Sequence, residues 1–184
     1  MTPRHPIKRI VVLVGPKGSG KSAIGSMLER ELGVKFVRVE PLFLETREEI
    51  GAAHPDFERI GFQKTFSCLV YELSRHDTVC FESTGASEKF HRLLTELREL
   101  SVVLPVQVQA DPMQCVERIR SREPSIHIPV SDDQVERINT RAVEVELPWA
   151  ARIDNRAVFD PNAILETIRG ILGRMENEFN ADRM

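Results

Sequence analysis

The sequence predicts an α/β protein of three layers, in which about five parallel strands carry helices on both faces. Three observations predict this fold. Short apolar runs rich in β-branched residues alternate along the chain with segments whose apolar residues recur at helical spacing. The first run, residues 10–14, is apolar at every position, as a strand covered on both faces must be. A glycine-rich segment joins that strand directly to an amphipathic stretch, which is how a βαβ unit begins. The 184 residues, 41% hydrophobic and 29% charged, fit a single domain over 1–184.

The elements follow in order. Residues 8–14 form the first strand. Ile24, Met27, Leu28 and Leu32 make one stripe of the next helix, and Gly33 stops it. A second β-rich run covers 34–39, and 41–56 reads as irregular with a short helix around 46–53. Phe62, Phe66, Leu69, Val70 and Leu73 fall at helical spacing, and 78–82 is a third buried strand. Phe90, Leu93, Leu94, Leu97 and Leu100 mark a helix with Ser87 at its N-cap. Residues 102–109 make a strand, although Pro105 counts against its full length. Asp111 and Pro112 open the next helix by an N-cap and a first-turn proline. Pro124 and Pro129 exclude regular helix from 122–130. Ser131 and Gln134 form a capping box ahead of Val135, Ile138, Ala142 and Val145. A strand at 152–155 and a last helix opened by Asp160 and Pro161 complete the series.

Composition narrows the function. With 25 basic and 28 acidic residues the net charge is −3, which gives no support for binding a long nucleic acid or a membrane surface. The apolar run at 10–14 is too short for a bilayer span or a signal-peptide core, so a cytoplasmic protein is expected. Cys68, Cys80 and Cys115 are odd in number and scattered, which fits buried reduced thiols better than a disulfide framework or a zinc site. The basic residues are 19 Arg and only 6 Lys, yet Lys17 and Lys21 both fall in the glycine-rich segment.

That segment is the strongest signal in the chain. Gly15-Pro16-Lys17-Gly18-Ser19-Gly20-Lys21-Ser22 matches G-x-x-x-x-G-K-[ST] between a strand and a helix. Its glycines let successive backbone N–H groups converge, and the helix N-terminus adds a field that favours anions. Lys21 can reach the β- and γ-phosphates of a nucleotide, and the Ser22 hydroxyl can bind Mg²⁺. Gly15, Lys17, Gly18, Ser19, Gly20, Lys21 and Ser22 are therefore candidate ATP-binding residues.

The loop, the small size and the arginine-rich segment 118–122 resemble the P-loop small-molecule kinases, a group that includes shikimate, gluconate, adenylate and zeta-toxin-like kinases. The resemblance implies the P-loop NTPase fold with an acceptor-binding region at about 40–76 and a short lid at about 118–131. It implies transfer of the γ-phosphoryl group of ATP, with Mg²⁺, to a hydroxyl or phosphate of a small acceptor. Arg118 and Arg122 resemble the Arg-x-x-x-Arg of a lid entrance; four apart on a helix, they share a face and could neutralise charge on the transferred group. A solvated helix face is the other reading of this pair, with Glu117 and Glu123 as partners. Glu40, just after the second strand, stands where such kinases often contact the acceptor hydroxyl, and otherwise is an exposed turn residue before Pro41. Glu82, in a Glu-Ser-Thr-Gly form similar to the zeta-toxin-like group, could hold a Mg²⁺-bound water, or serve as a cap. Asn155 lies in a segment that resembles the one near adenine in these kinases.

Arg47, Arg59 and Lys64 fall in the acceptor region and could meet an anionic acceptor, although solvation is the commoner role for each. His127 is expected to be structural or exposed. Two other functions fit the same residues: a regulatory nucleotide-binding NTPase without an acceptor, and a nucleotide or polynucleotide kinase. The sequence does not name the acceptor or the oligomeric state.

Overall fold

The computed structural model describes residues 7–121, 131–156 and 159–181. Its centre is a sheet of five parallel strands: β1 (Arg9–Val14), β2 (Lys35–Val37), β3 (Thr78–Ser83), β4 (Val102–Gln109) and β5 (Ala151–Asp154), in the order β2-β3-β1-β4-β5. The helices are α1 (Lys21–Leu32), α2 (Val39–Ile50), α3 (Phe57–Arg75), α4 (Glu88–Arg98), α5 (Pro112–Arg120), α6 (Asp132–Val143) and α7 (Pro161–Ala181).

Alternation along β1 explains the layers. Val11 and Leu13 enter one apolar cluster with Ile24 and Leu28 of α1 and Ile164 and Ile168 of α7. Ile10, Val12 and Val14 enter another with Leu69 of α3 and Phe90 and Leu94 of α4. A period-two backbone that is apolar at every position from 10 to 14 must be covered on both sides, and it is. From β1 the chain crosses to β2 on one side, and from β3 it crosses back over β1 to β4. Such a reversal opens a crevice at the carboxyl ends of the strands, where β1 releases the glycine-rich loop.

Most boundaries follow local chemistry. Gly33 closes α1 in a left-handed conformation (φ 65°), with its N–H on the Glu29 and Leu28 carbonyls. Ser87 caps α4, Asp111 caps α5, and Ser131 with Gln134 forms the capping box of α6.

Four expectations are corrected. The span expected to be irregular is α2, because Glu40 and Pro41 fall in a first turn, where a negative charge is favoured and no proline N–H is missed. β4 runs its full length through Pro105. The Pro105 carbonyl accepts from Ala150 N–H at 2.8 Å just ahead of β5, so the absent proline N–H faces the side where no strand has yet begun. α6 ends at Val143, and Val145 enters the core from beyond it. Cys68 is partly exposed, whereas Cys80 and Cys115 are buried; all are free thiols, and burial pushes the Cys80 thiol well up.

Candidate active site

The loop between β1 and α1 is held from four directions. Gly15 N–H donates to the Ser83 carbonyl (3.2 Å) at the end of β3. Arg118 Nη1, on α5, donates to the Gly18 carbonyl (3.3 Å), and Asn155 Nδ2, after β5, donates to the Ser19 carbonyl (2.8 Å). Asn139 of α6 grips Lys17 at both polar backbone atoms: its Oδ1 accepts from the N–H at 2.7 Å and its Nδ2 donates to the carbonyl at 3.2 Å. Two glycines make this enclosure possible. Gly18 and Gly20 have φ of 83° and 93°, and a Cβ would stand 2.3 Å from the Cys115 carbonyl oxygen at the first and 2.7 Å from Asn155 Nδ2 at the second.

Lys21, 7% exposed, places Nζ 2.8 Å from the Gly15 carbonyl, 2.7 Å from the Pro16 carbonyl and 3.4 Å from Ser19 Oγ. A nearly buried ammonium is stabilised by such oxygens, and the same contacts keep it inside the curl of the loop. Beside it, Ser22 Oγ donates to both carboxylate oxygens of Glu82, at 2.8 and 2.9 Å. A hydroxyl and a carboxylate are hard oxygen donors that suit Mg²⁺. Among the described residues no cluster of three or more His, Cys, Asp or Glu could hold a metal. One or two protein oxygens completed by substrate phosphates is the usual Mg²⁺ arrangement, so the donor set fits that ion.

These groups open on a cleft of about 1110 Å³. Lys17, Gly18, Gly20, Lys21 and Ser22 form its loop side, and Glu40 and Phe43 reach it from α2. Glu82, Ser83 and Thr84 line it from the end of β3, and Arg137, Ile138 and Arg141 from α6.

No family model matches the chain. It is 25% identical over 173 residues to a cytidylate kinase of Ignicoccus hospitalis, covering 89% of this chain and 98% of the relative. A 36% identical stretch of 90 residues aligns with a shikimate kinase of Hahella chejuensis, covering 47% of this chain and 45% of that protein's length. The structure superposes on a sugar kinase from a Janibacter species with a TM-score of 0.65 at 14% identity, over 91% of this chain and 95% of the other. The fold is that of the P-loop small-molecule kinases. The similar proteins include kinases of small molecules, cytidylate and shikimate kinases among them, in agreement with the kinase reading.

Within this P-loop kinase fold Lys17, Gly18, Gly20, Lys21, Ser22, Glu40 and Glu82 come together at one cleft, with Gly15 and Ser19 buried and off its wall. Other candidates lie elsewhere. Arg118 packs on the loop, its Nη2 on Gln114 Oε1 at 3.0 Å, and it does not line the cleft. Asn155 is 2% exposed behind the loop and also stands off the cleft wall. Arg120 pairs with Asp132 at 2.9 Å across the base of α5 and α6. Arg122, His127 and most of the expected lid lie outside the described residues. Arg59 pairs with Asp56 (2.8 Å) and Lys64 with Glu45 and Glu49 (3.2 and 2.8 Å), and with the exposed Arg47 they line none of the cleft. The Asp154 carboxyl, held down to about 2 by its hydrogen bond from Arg156, is an exposed pair off the cleft.

Sequence reasoning missed Arg137, Asn139 and Arg141. The polar face of α6 was the available signal: two arginines four apart flank an asparagine, a poor former of mid-helix structure. Asn139→Ala should weaken MgATP binding about tenfold, roughly 1.4 kcal/mol, because the Lys17 N–H and the Lys17 carbonyl each lose their Asn139 hydrogen bond. Titration with a fluorescent ATP analogue measures this, and wild-type affinity would mean the contact does not shape the loop.

Proposed function

We propose that the protein is an ATP-dependent kinase that transfers the γ-phosphoryl group to a hydroxyl of a small acceptor. The observation that carries this reading is the Ser22–Glu82 pair next to Lys21, in one cleft with Glu40. At about 1110 Å³ the cleft exceeds the roughly 300–1,000 Å³ of a single-ligand pocket, leaving room for a nucleotide and an acceptor together.

In this reading the converging N–H groups of the loop and Lys21 Nζ bind the β- and γ-phosphates. Ser22 and Glu82 hold Mg²⁺, which when bound supplies neutralising charge to those phosphates. Glu40 orients the acceptor hydroxyl and takes its proton as the oxygen bonds to the γ-phosphorus. The bond from that phosphorus to the β,γ-bridging oxygen breaks, and ADP leaves. Arg137 and Arg141, held toward the loop by Asn139, take the charge-neutralising part expected of lid arginines. Arg118 and Asn155 act through the loop they brace. Among the described residues no helix is long and apolar enough to cross a membrane.

The test incubates the full chain with MgATP and a library of small hydroxyl compounds. ADP release is followed together with the ³¹P signal of a phosphorylated product. Acceptor-dependent ADP release supports the kinase; slow acceptor-independent hydrolysis without a phosphorylated product supports a nucleotide-hydrolysing regulator instead. Glu40→Gln should lower kcat about a hundredfold with KM for ATP nearly unchanged, the usual scale for losing a general base. An equal loss in ATP affinity would move Glu40 from the acceptor to the nucleotide.

A further inference from the structure

The half of the cleft away from the loop has a chemistry of its own. Its wall between α2 and α3 is Val39, Phe43, Ala52, Pro55, Phe57 and Phe62. Phe43 stands edge-on to both other rings, with centroids 5.6 Å from Phe57 and 5.2 Å from Phe62. Gly61 seats the Phe43 ring against α3, since a Cβ there would lie 2.7 Å from two of its carbons. The aromatic wall is therefore a built surface with fixed neighbours.

Carboxylates outnumber ammonium groups on this half. The cations that α2 and α3 carry near it, Arg47, Arg59 and Lys64, do not line it, and Arg59 and Lys64 are paired with carboxylates outside. Glu40 and Glu58 face this half against one ammonium, Lys89, and the His54 imidazole; Glu82 stands with Ser22 at the loop, and Arg137 and Arg141 line the cleft from α6, which Asn139 fixes to that loop. Glu58 also accepts from Ser87 Oγ at 2.9 Å, which ties the starts of α3 and α4 together beside this wall. A negatively charged acceptor would leave water for an apolar surface flanked by carboxylates, and both terms oppose it. A ring-sized apolar body gains from the aromatic faces, and a positive charge gains from the carboxylates.

We infer that the acceptor is an uncharged or positively charged alcohol with a largely apolar body of ring size, lying on the Phe43, Phe57 and Phe62 wall with its hydroxyl toward Glu40. This rests on the kinase reading and names the acceptor class for the same cleft. The transfer is balanced as above: the alcohol oxygen gains the γ-phosphoryl group, ADP leaves, and the hydroxyl proton passes through Glu40 to solvent.

The experiment measures binding by calorimetry to the full chain loaded with MgADP, using three matched probes. These are 1,4-benzenedimethanol, 4-(aminomethyl)benzyl alcohol and 4-(hydroxymethyl)benzoate, with shikimate and cytidylate beside them. The neutral and cationic alcohols should bind at least tenfold tighter than the benzoate, shikimate or cytidylate, and Phe43→Ser should remove at least tenfold of that affinity. Equal or tighter binding of any anionic probe overturns the inference, as does failure of both other alcohols to bind. Unaltered alcohol affinity in Phe43→Ser overturns it too. MgADP binding in the same titrations is the separate readout of the kinase reading: its absence sinks that reading, whereas its presence with the wrong acceptor preference sinks only this one.

Discussion

Replacing Lys21 by alanine should lower kcat/KM for phosphoryl transfer about a thousandfold, roughly 4 kcal/mol of transition-state stabilisation, and leave the fold in place. Lys21 Nζ is already positioned by the Gly15 and Pro16 carbonyls, so little reorganisation remains when charge develops on the transferred group. A preorganised and nearly buried cation contributes far more than an exposed one. Stability should change by no more than about 1 kcal/mol, because the partners released are loop carbonyls at a cleft that water can reach. Lys21→Arg should not restore activity, since a planar guanidinium replaces a compact ammonium held by three oxygens within the loop. Steady-state kinetics with a thermal melt of each variant checks both statements. Transfer at the wild-type rate in Lys21→Ala would remove the loop from the reaction.

How legible this site was in the sequence depended on how local its physics is. The apolar run 10–14 of β1, the loop after it, Gly33 and the caps Ser87, Asp111 and Ser131 act through backbone geometry within a few residues, and each lies where the spacing put it. Glu82 was legible because a strand buried on both faces ends beside it. The remainder needed tertiary contact. Arg118 reads as a lid cation on its own helix face, yet its guanidinium is drawn to the Gly18 carbonyl, 100 residues away in sequence. Asn139 reads as one more polar residue until α6 is laid on the loop, 122 residues upstream. Arg59 and Lys64 read as acceptor-binding cations, and nearer carboxylates on their own or the adjacent helix claimed them.

The α2 region shows the same limit from another side. Pro41 reads as a break, although in a first turn it costs no hydrogen bond, and the helix that begins at Val39 carries Glu40 and Phe43 onto the cleft. The acceptor wall was therefore hidden by a boundary error and not by weak signals, since the three phenylalanines that build it are plain in the sequence. Their function follows only from the packing of Phe43 between Phe57 and Phe62.

Glu82→Gln should raise the Mg²⁺ concentration needed for half-maximal activity at least tenfold and lower kcat about a hundredfold. The neutral amide keeps the size of the side chain and can still accept the Ser22 hydroxyl, now held at 2.8 and 2.9 Å by the two carboxylate oxygens. It loses the negative charge that a hard divalent ion requires of a site with so few protein ligands. The variant thus separates two roles for one carboxylate. A side chain that only fixes Ser22 at the start of α1 would be replaced by glutamine at small cost, with the Mg²⁺ requirement unmoved. A side chain that holds the ion or its waters would move that requirement first, and excess Mg²⁺ or Mn²⁺ would recover part of the lost rate. Activity titrated against each ion at fixed ATP decides between them, and an unchanged half-saturation would leave Glu82 as a cap on Ser22.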